Sequence, residues 1–274
     1  MAQKVYQLQS NKLGRIVQGI DLNKSISKET ISKIIQDVTK HRLLIFKNQG
    51  LISAEKQLEI SQWFGTIEST FYNHPKSPHR DIFRVSNDRN EGCTNVGRTG
   101  WHIDGSFQEK PFSYSIYHIV SCPTKGATIF APLNELIEGL DDKKRQFWDR
   151  LYMSSDRRGN FVHPHIYLHP LTQLPTLCFH LGMTDHYILD YGTDQERILS
   201  EEETENVKAD IHYEFVKNNG EIQYVHNWEP GDFLISDNLA LGHEASPDTQ
   251  LSPDQVGLRV MHRVTIAGKH KPMK

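Results

Sequence analysis

The chain has 274 residues, 37% of them hydrophobic and 24% charged, and carries a formal net charge of −3. That balance leaves no strongly basic face for a nucleic acid, and no stretch approaches the roughly 20 apolar residues needed to span a bilayer, so neither nucleic acid nor membrane is expected as a partner. Cys93, Cys122 and Cys178 match neither a disulfide framework nor a zinc knuckle, and Met1 to Ser10 lack a signal-peptide core, so a reducing, cytoplasmic setting is expected.

In chain order, Ser27 is placed to cap a helix from about Lys28 to Lys40, with Ile31, Ile34, Ile35 and Val38 on one face. Leu43 to Phe46 read as a buried strand. Ser53 caps a second helix that ends near Trp63 and Phe64, with Gly65 available to close it in the left-handed conformation. From Phe71 to Arg98 the sequence is polar and aperiodic, which predicts a long active-site loop over about 71–100. Ser113 to Val120 and Ala127 to Leu133 follow as strands, and then a helix over Asp142 to Leu151 burying Phe147, Trp148 and Leu151. Asn160 to Leu189 read as strand-rich. Ser200 and Glu203 form a capping box for a helix whose apolar face is Val207, Ile211 and Phe215. Gly231 to Ser236 and Leu258 to Ile266 are the last strands. There is no internal repeat, so 1–274 is expected to form one domain, a β-rich core with helices packed outside.

Fifteen histidines favour a metal site without saying where. In Trp101-His102-Ile103-Asp104, a strand would project His102 and Asp104 to one face while Ile103 packs behind them. A second histidine would complete a 2-His-1-carboxylate triad, with open positions on iron(II). His243, at a polar corner beyond the turn and buried strand of Trp228 to Asn238, is the candidate. A loop histidine bonded to its neighbouring carboxylate is the plainer reading of His102. His163, His165 and His169 form a rival cluster, but Pro164 and Pro170 break the helix that would join them, which points to structural roles.

A dicarboxylate co-substrate needs a cation besides the metal, and arginine matches a carboxylate better than lysine. In Leu258 to Ile266, Arg259, Met261 and Arg263 share one face, and burying two guanidinium groups there demands anions. The alternative is an edge strand with a solvated cationic face. The chain after His243 is long enough for this strand to lie beside it as an antiparallel neighbour.

These residues resemble the TauD/TfdA (taurine dioxygenase-like) family. The resemblance runs through Gly19 to Leu22, Leu44 to Gln49, Phe64-Gly65, Trp101 to Asp104, Gly126 to Ala131, His169 to Thr172, Trp228 to Asn238, His243 and Arg259 to Arg263, nearly the whole chain. It implies a mainly β, α+β fold with a double-stranded β-helix (jelly-roll, cupin-like) core and flanking helices. It also implies Fe(II) held by His102, Asp104 and His243, with 2-oxoglutarate and O2 as co-substrates. Arg259, helped by the Thr128 hydroxyl, would pair with the far carboxylate of 2-oxoglutarate. The implied reaction decarboxylates 2-oxoglutarate to succinate and CO2 and oxidises an unactivated C–H bond.

At the substrate positions, His74 and Arg263 match the family's sulfonate-binding pair. Ser77 stands where the family has tyrosine, and Arg98 where it has asparagine, so the resemblance does not imply taurine itself. Arg98, Arg263 and Lys76 point instead to a small anionic substrate: a carboxylate, sulfonate or phosphonate, or an amino-acid-derived polycarboxylate. Ring closure of the kainoid-synthase kind is an alternative within the family. From other classes, a zinc hydrolase or a non-catalytic binding protein on the same fold are the competitors. A homo-oligomer is compatible with the sequence.

Overall fold

The longer helices of this chain begin where a side chain accepts from the unpaired N–H groups of the first turn. In the computed structural model, which describes residues 6–69, 73–155 and 161–274, strands β1 (Gln7–Ser10) and β2 (Arg15–Gln18) precede helix α1 (Lys28–His41). Phe71 and Asn160, the expected starts of two segments, lie outside the described residues, as do residues 1–5. Ser27 accepts from the Thr30 N–H to start α1, and Ser53 accepts from the Lys56 N–H to start α2 (Ala54–Gln62), with β3 (Leu43–Phe46) between them. Then come β4 (Phe83–Ser86), β5 (Tyr114–Ser121), β6 (Thr128–Pro132), α3 (Leu133–Glu138), α4 (Asp142–Arg150) and β7 (Leu151–Ser154). Four short strands follow: β8 (Val162–Pro164), β9 (Ile166–Leu168), β10 (Pro175–Leu177) and β11 (His186–Leu189). β12 (Arg197–Ile198) leads to α5 (Glu201–Gly220), where Ser200 and Glu203 make the expected reciprocal capping box. The chain ends through β13 (Tyr224–His226), β14 (Phe233–Asp237), β15 (Leu241–Ala245), α6 (Pro253–Val256) and β16 (Val260–Ile266).

A seven-stranded sheet runs β1-β2-β3-β14-β5-β16-β4, and a three-stranded sheet runs β13-β6-β15. Alternation along the central strands of the larger sheet sends side chains to two separate cores. Leu44, Phe46, Ile116, Phe233, Ile235 and Ile266 pack with Ile34 and Val38 of α1 and Ile60 of α2. Their sequence neighbours Leu43, Ile45, Tyr117, Ile119, Leu234 and Met261 face Phe130 and Leu241 of the smaller sheet. A third core, around Trp101, Ile103, Trp148, Phe179 and Phe215, lies under α3, α4 and α5. The functional residues sit between the two sheets. Among the described residues, no helix is long and apolar enough to cross a membrane.

The structure corrects five expectations. The polar stretch beginning at Phe71 contains β4, which pairs with β16 at the sheet edge; its alternation over Phe83 to Ser86 is short enough to be lost among polar neighbours. β16 does not lie beside β15: it pairs with β5 and β4, while β15 pairs with β6 in the facing sheet. His102 is held only by isolated bridges and Asp104 begins a turn, so the Trp101 to Asp104 segment is not a regular strand, although its side chains alternate as a strand's do. Gly65 adopts φ +147, far from the left-handed helical value near +57°, and α2 is capped instead by right-handed Trp63. Leu151 is buried and caps α4 as expected but also opens β7, and Phe147 is only partly buried.

Candidate active site

His102 and His243 are placed by one piece of backbone. The His102 N–H donates to the His243 carbonyl at 3.1 Å and the His243 N–H donates back at 2.9 Å, so the two residues form a hydrogen-bonded antiparallel pair with side chains on one face. Their rings lie 4.3 Å apart. Asp104, two residues on, returns to the same face. Its backbone is clasped by the buried side chain of Asn238, whose Oδ1 accepts from Asp104 N at 2.8 Å and whose Nδ2 donates to Asp104 O at 2.9 Å. Gly105 then takes φ +76, turning the chain where a Cβ would meet Phe112 Cδ2 at 2.8 Å.

One ligand atom from each of His102, Asp104 and His243 lies within 4.8 Å of the others, and all three residues are buried. His102 Nδ1 sits 2.8 Å from the Gly100 carbonyl, which makes Nδ1 the protonated nitrogen and leaves the Nε2 lone pair facing the cavity. His243 Nε2 lies 3.6 Å from Asp104 Oδ2, and its Nδ1 is buried without a partner. Burial lowers the pKa of both imidazoles, that of His243 to about 3, so both are neutral, as a metal requires. Burial alone would raise Asp104, but the Arg263 guanidinium and the two imidazoles outweigh it and hold the carboxyl well below its usual range. Three acceptors thus converge in a buried space. Metal bonds of about 2.0–2.2 Å place ligand atoms about 3–3.5 Å apart, close to the spacing seen here, so these residues fit an ion. Ser115 Oγ steadies the carboxylate by donating to Oδ2 at 2.7 Å.

Across the cavity, Tyr117, Thr128, Met261 and Arg259 line a recess that adjoins His243. Arg259 is only 2% exposed, and among the described residues its guanidinium makes one hydrogen bond, to the Met261 sulfur 3.6 Å from Nη2. Its Nε is unpaired. Burial lowers its pKa to about 10, still far above neutrality, so the recess holds a full cation; Glu244 also lines the recess, but among the described residues no carboxylate forms an ion pair with Arg259. An unpaired buried charge costs several kcal/mol, by order of magnitude, and a bound anion offsets that cost. Thr128 lines the same recess.

Arg263 shares the face of Arg259, as its spacing predicts, but bonds to protein: Nη1 donates to Asp104 Oδ1 at 2.6 Å, over the Phe83 ring. His74 and Arg98 are not brought to it. His74 Nδ1 accepts from Lys76 N at 3.1 Å and Nε2 lies 3.0 Å from the Arg89 carbonyl, while Arg98 Nη1 donates to the Ala245 carbonyl at 2.7 Å. Lys76 pairs with Glu91. Both ring nitrogens of His74, one nitrogen of Arg98 and the Lys76 ammonium thus have protein partners. In the rival cluster, His163 reaches the Gln108 carbonyl, His165 the Cys178 carbonyl and His169 the Asp237 carboxylate, which are structural duties.

Sequence reasoning passed over His180. It forms an antiparallel bridge with His102 on the side opposite His243, and its ring stacks on that of His102 at 4.6 Å and 24°. Nδ1 accepts from the Gly182 N–H at 3.2 Å, which puts the proton on Nε2. His180 lines the cavity with Phe83, Phe107, Met183 and Arg263. The only sequence signal was a histidine ending the apolar run Leu177 to Phe179.

The fold and site now have relatives. The family described as "Taurine catabolism dioxygenase TauD, TfdA family" matches residues 4–265. The chain is 24% identical to the 3-((Z)-2-isocyanoethenyl)-1H-indole synthase of Fischerella ambigua, over 91% of this chain and 92% of that protein. It is 23% identical to the alpha-ketoglutarate-dependent sulfonate dioxygenase of Saccharomyces cerevisiae, over 86% of this chain and 61% of that one. A crystal structure described as a putative alpha-ketoglutarate-dependent taurine dioxygenase from Burkholderia xenovorans superposes with a TM-score of 0.77 at 22% identity, covering 97% of this chain and 94% of the other. The chain belongs to the TauD/TfdA family, whose fold is the jelly roll described above. It is accordingly an Fe(II)- and 2-oxoglutarate-dependent dioxygenase, an oxidoreductase that takes O2 as its second co-substrate.

Proposed function

We propose that His102, Asp104 and His243 hold the iron, that Arg259 and Thr128 bind the far carboxylate of 2-oxoglutarate, and that residues 1–274 act as one catalytic unit. The single observation that carries this reading is Arg259, a buried guanidinium that no carboxylate pairs with among the described residues, in a recess that His102 and His243 also line. Held by His102, Asp104 and His243, Fe(II) would supply the redox chemistry by which O2 converts 2-oxoglutarate to succinate and CO2 and oxidises a substrate C–H bond.

The protein's own part is placement. The backbone pair of His102 and His243 sets two ligand positions, Asn238 and Ser115 set the third, and the apolar walls keep bulk water from the centre.

The primary substrate is a small anion with an apolar body. Arg263 and the Nε2–H of His180 offer charge and a donor in a cavity whose apolar wall is Phe83, Phe107, Phe112 and Met183, with Thr94, Asn95 and Thr99 on its polar side. The sulfonate dioxygenase of yeast supports an acidic head group. A zinc hydrolase gives Arg259 no role, and a binding protein that has lost turnover is expected to lack a ligand or the arginine, whereas His102, Asp104, His243 and Arg259 are all present. A second reading, an oxidation that closes a ring or rearranges the product, draws support from the indole isocyanide synthase relative.

The test is anaerobic spectroscopy of the Fe(II)·2-oxoglutarate complex with a panel of carboxylates, sulfonates and phosphonates. A true substrate perturbs the charge-transfer band and gives succinate when air is admitted. A panel in which only uncharged compounds do so contradicts the anionic assignment.

A further inference from the structure

The turn Trp228 to Asp232 has no part in the roles assigned so far, yet it is heavily braced. Asp232 N donates to the Glu229 carbonyl at 3.1 Å, and Glu229 N donates to Asp232 Oδ2 at 3.0 Å. Lys47 Nζ and His226 Nε2 reach the same Oδ2 at 2.9 and 3.1 Å. The Cys122 thiol donates to the Trp228 carbonyl at 3.2 Å, and the His226 ring stands edge-on to the Trp228 indole, centroids 4.7 Å apart at 89°. All this holds one buried indole, whose Nε1–H donates to Thr128 Oγ1 at 3.1 Å.

A hydroxyl has one proton and two lone pairs, and an indole N–H can only donate. Trp228 therefore fills a lone pair of Thr128 Oγ1 and turns its proton elsewhere. No protein acceptor for that proton appears among the described residues, and Thr128 and Arg259 line the same recess.

We infer that Trp228 is a positioning residue for 2-oxoglutarate: by donating to Thr128 it fixes the hydroxyl as a donor aimed, with Arg259, at the co-substrate's far carboxylate. This rests on the co-substrate assignment above. Without the indole N–H, the hydroxyl is free to spend its proton in other directions, and part of its hydrogen bond to the carboxylate is lost.

The test is a double-mutant cycle on the Mn(II)-loaded protein, titrating 2-oxoglutarate by calorimetry in unaltered protein, Trp228→Phe, Thr128→Val and the double variant. Trp228→Phe, which keeps a ring and removes the N–H, is expected to weaken binding about five-fold, the size a neutral hydrogen bond supports. Thr128→Val is expected to weaken it at least as much, and the double variant no more than Thr128→Val alone. Mn(II) affinity is expected to be equal in all four, which a general loosening of the fold would not give. Trp228→Phe binding like the unaltered protein, or two losses that multiply, overturns the inference while leaving the co-substrate site in place. No binding by the unaltered protein overturns that site and the inference together. Should Trp228→Phe fail to fold, indole ¹⁵N–H spectra of unaltered and Thr128→Val protein decide the matter. One of the four tryptophan resonances is expected to shift and exchange faster in Thr128→Val, and four unchanged resonances overturn the inference.

Discussion

His102 and His243 exchange both backbone hydrogen bonds although 141 positions separate them (243 − 102), and this places two imidazoles side by side. The register is made by backbone groups, so it does not depend on either imidazole. His102→Ala and His243→Ala are therefore expected to fold normally and to lose metal affinity by more than about 100-fold, beyond what loss of a supporting contact costs. Asp104→Ala differs because it leaves Arg263 buried without its carboxylate, and should also lower stability by about 3–5 kcal/mol. Metal titration and urea unfolding of the three variants check both statements.

Ser115 Oγ donates to Asp104 Oδ2 and also meets the Tyr117 hydroxyl, which stays buried beside the cavity without it. Ser115→Ala should keep the fold and lower metal affinity about 10–100-fold, the range for groups that orient a ligand. An affinity equal to that of the unaltered protein would show that the carboxylate needs no such help.

His180 stacks on His102 but lies outside the trio whose ligand atoms converge. His180→Phe preserves the stacking surface and removes the cavity-facing N–H. Metal and 2-oxoglutarate binding should be unchanged, while the anions that perturb the charge-transfer band should bind about 5- to 10-fold more weakly, as for one lost hydrogen bond. Loss of iron instead would make His180 a ligand.

Acid should destabilise the fold through buried histidines. Burial between Trp148 and Tyr187 lowers His165 to about 4, and burial together with the Arg84 guanidinium lowers His262 to about 3. Unfolded histidine titrates near 6.5, so below that pH the unfolded chain binds protons that the folded chain refuses. Stability is then complete above about pH 6.5 and falls by about 1.4 kcal/mol per pH unit for each residue until the folded value is reached. Between pH 7.5 and 5, His165→Phe should lose about 2 kcal/mol less than the unaltered protein in urea unfolding; an equal loss would rule the mechanism out.

What could be read in the chain was local. The caps Ser27 and Ser53 and the box of Ser200 with Glu203 act within one turn, so their residue types suffice. Two-residue alternation likewise put His102 with Asp104, and Arg259 with Arg263. What stayed hidden depends on which strands meet. Asn238 reaches Asp104 across 134 positions, and His180 meets His102 only because a bridge forms there. β15 and β16 follow one another closely in the chain, yet they belong to facing sheets, a crossover that no hydrophobic pattern encodes. His74 and Arg98 matched family positions by residue type, which says nothing of the contacts they make: His74 bonds to backbone nearby, and Arg98 Nη1 donates to the end of β15.

The central claim is that Arg259 is the cation behind the keto acid. Anaerobic titration of the Fe(II)-loaded protein with 2-oxoglutarate, followed by the charge-transfer band, tests it most directly. Arg259→Ala should shift the half-saturation point upward by about 10- to 100-fold, the worth of a charge-assisted hydrogen bond, with Fe(II) binding intact. A titration curve for Arg259→Ala that overlays the unaltered protein's would contradict the account.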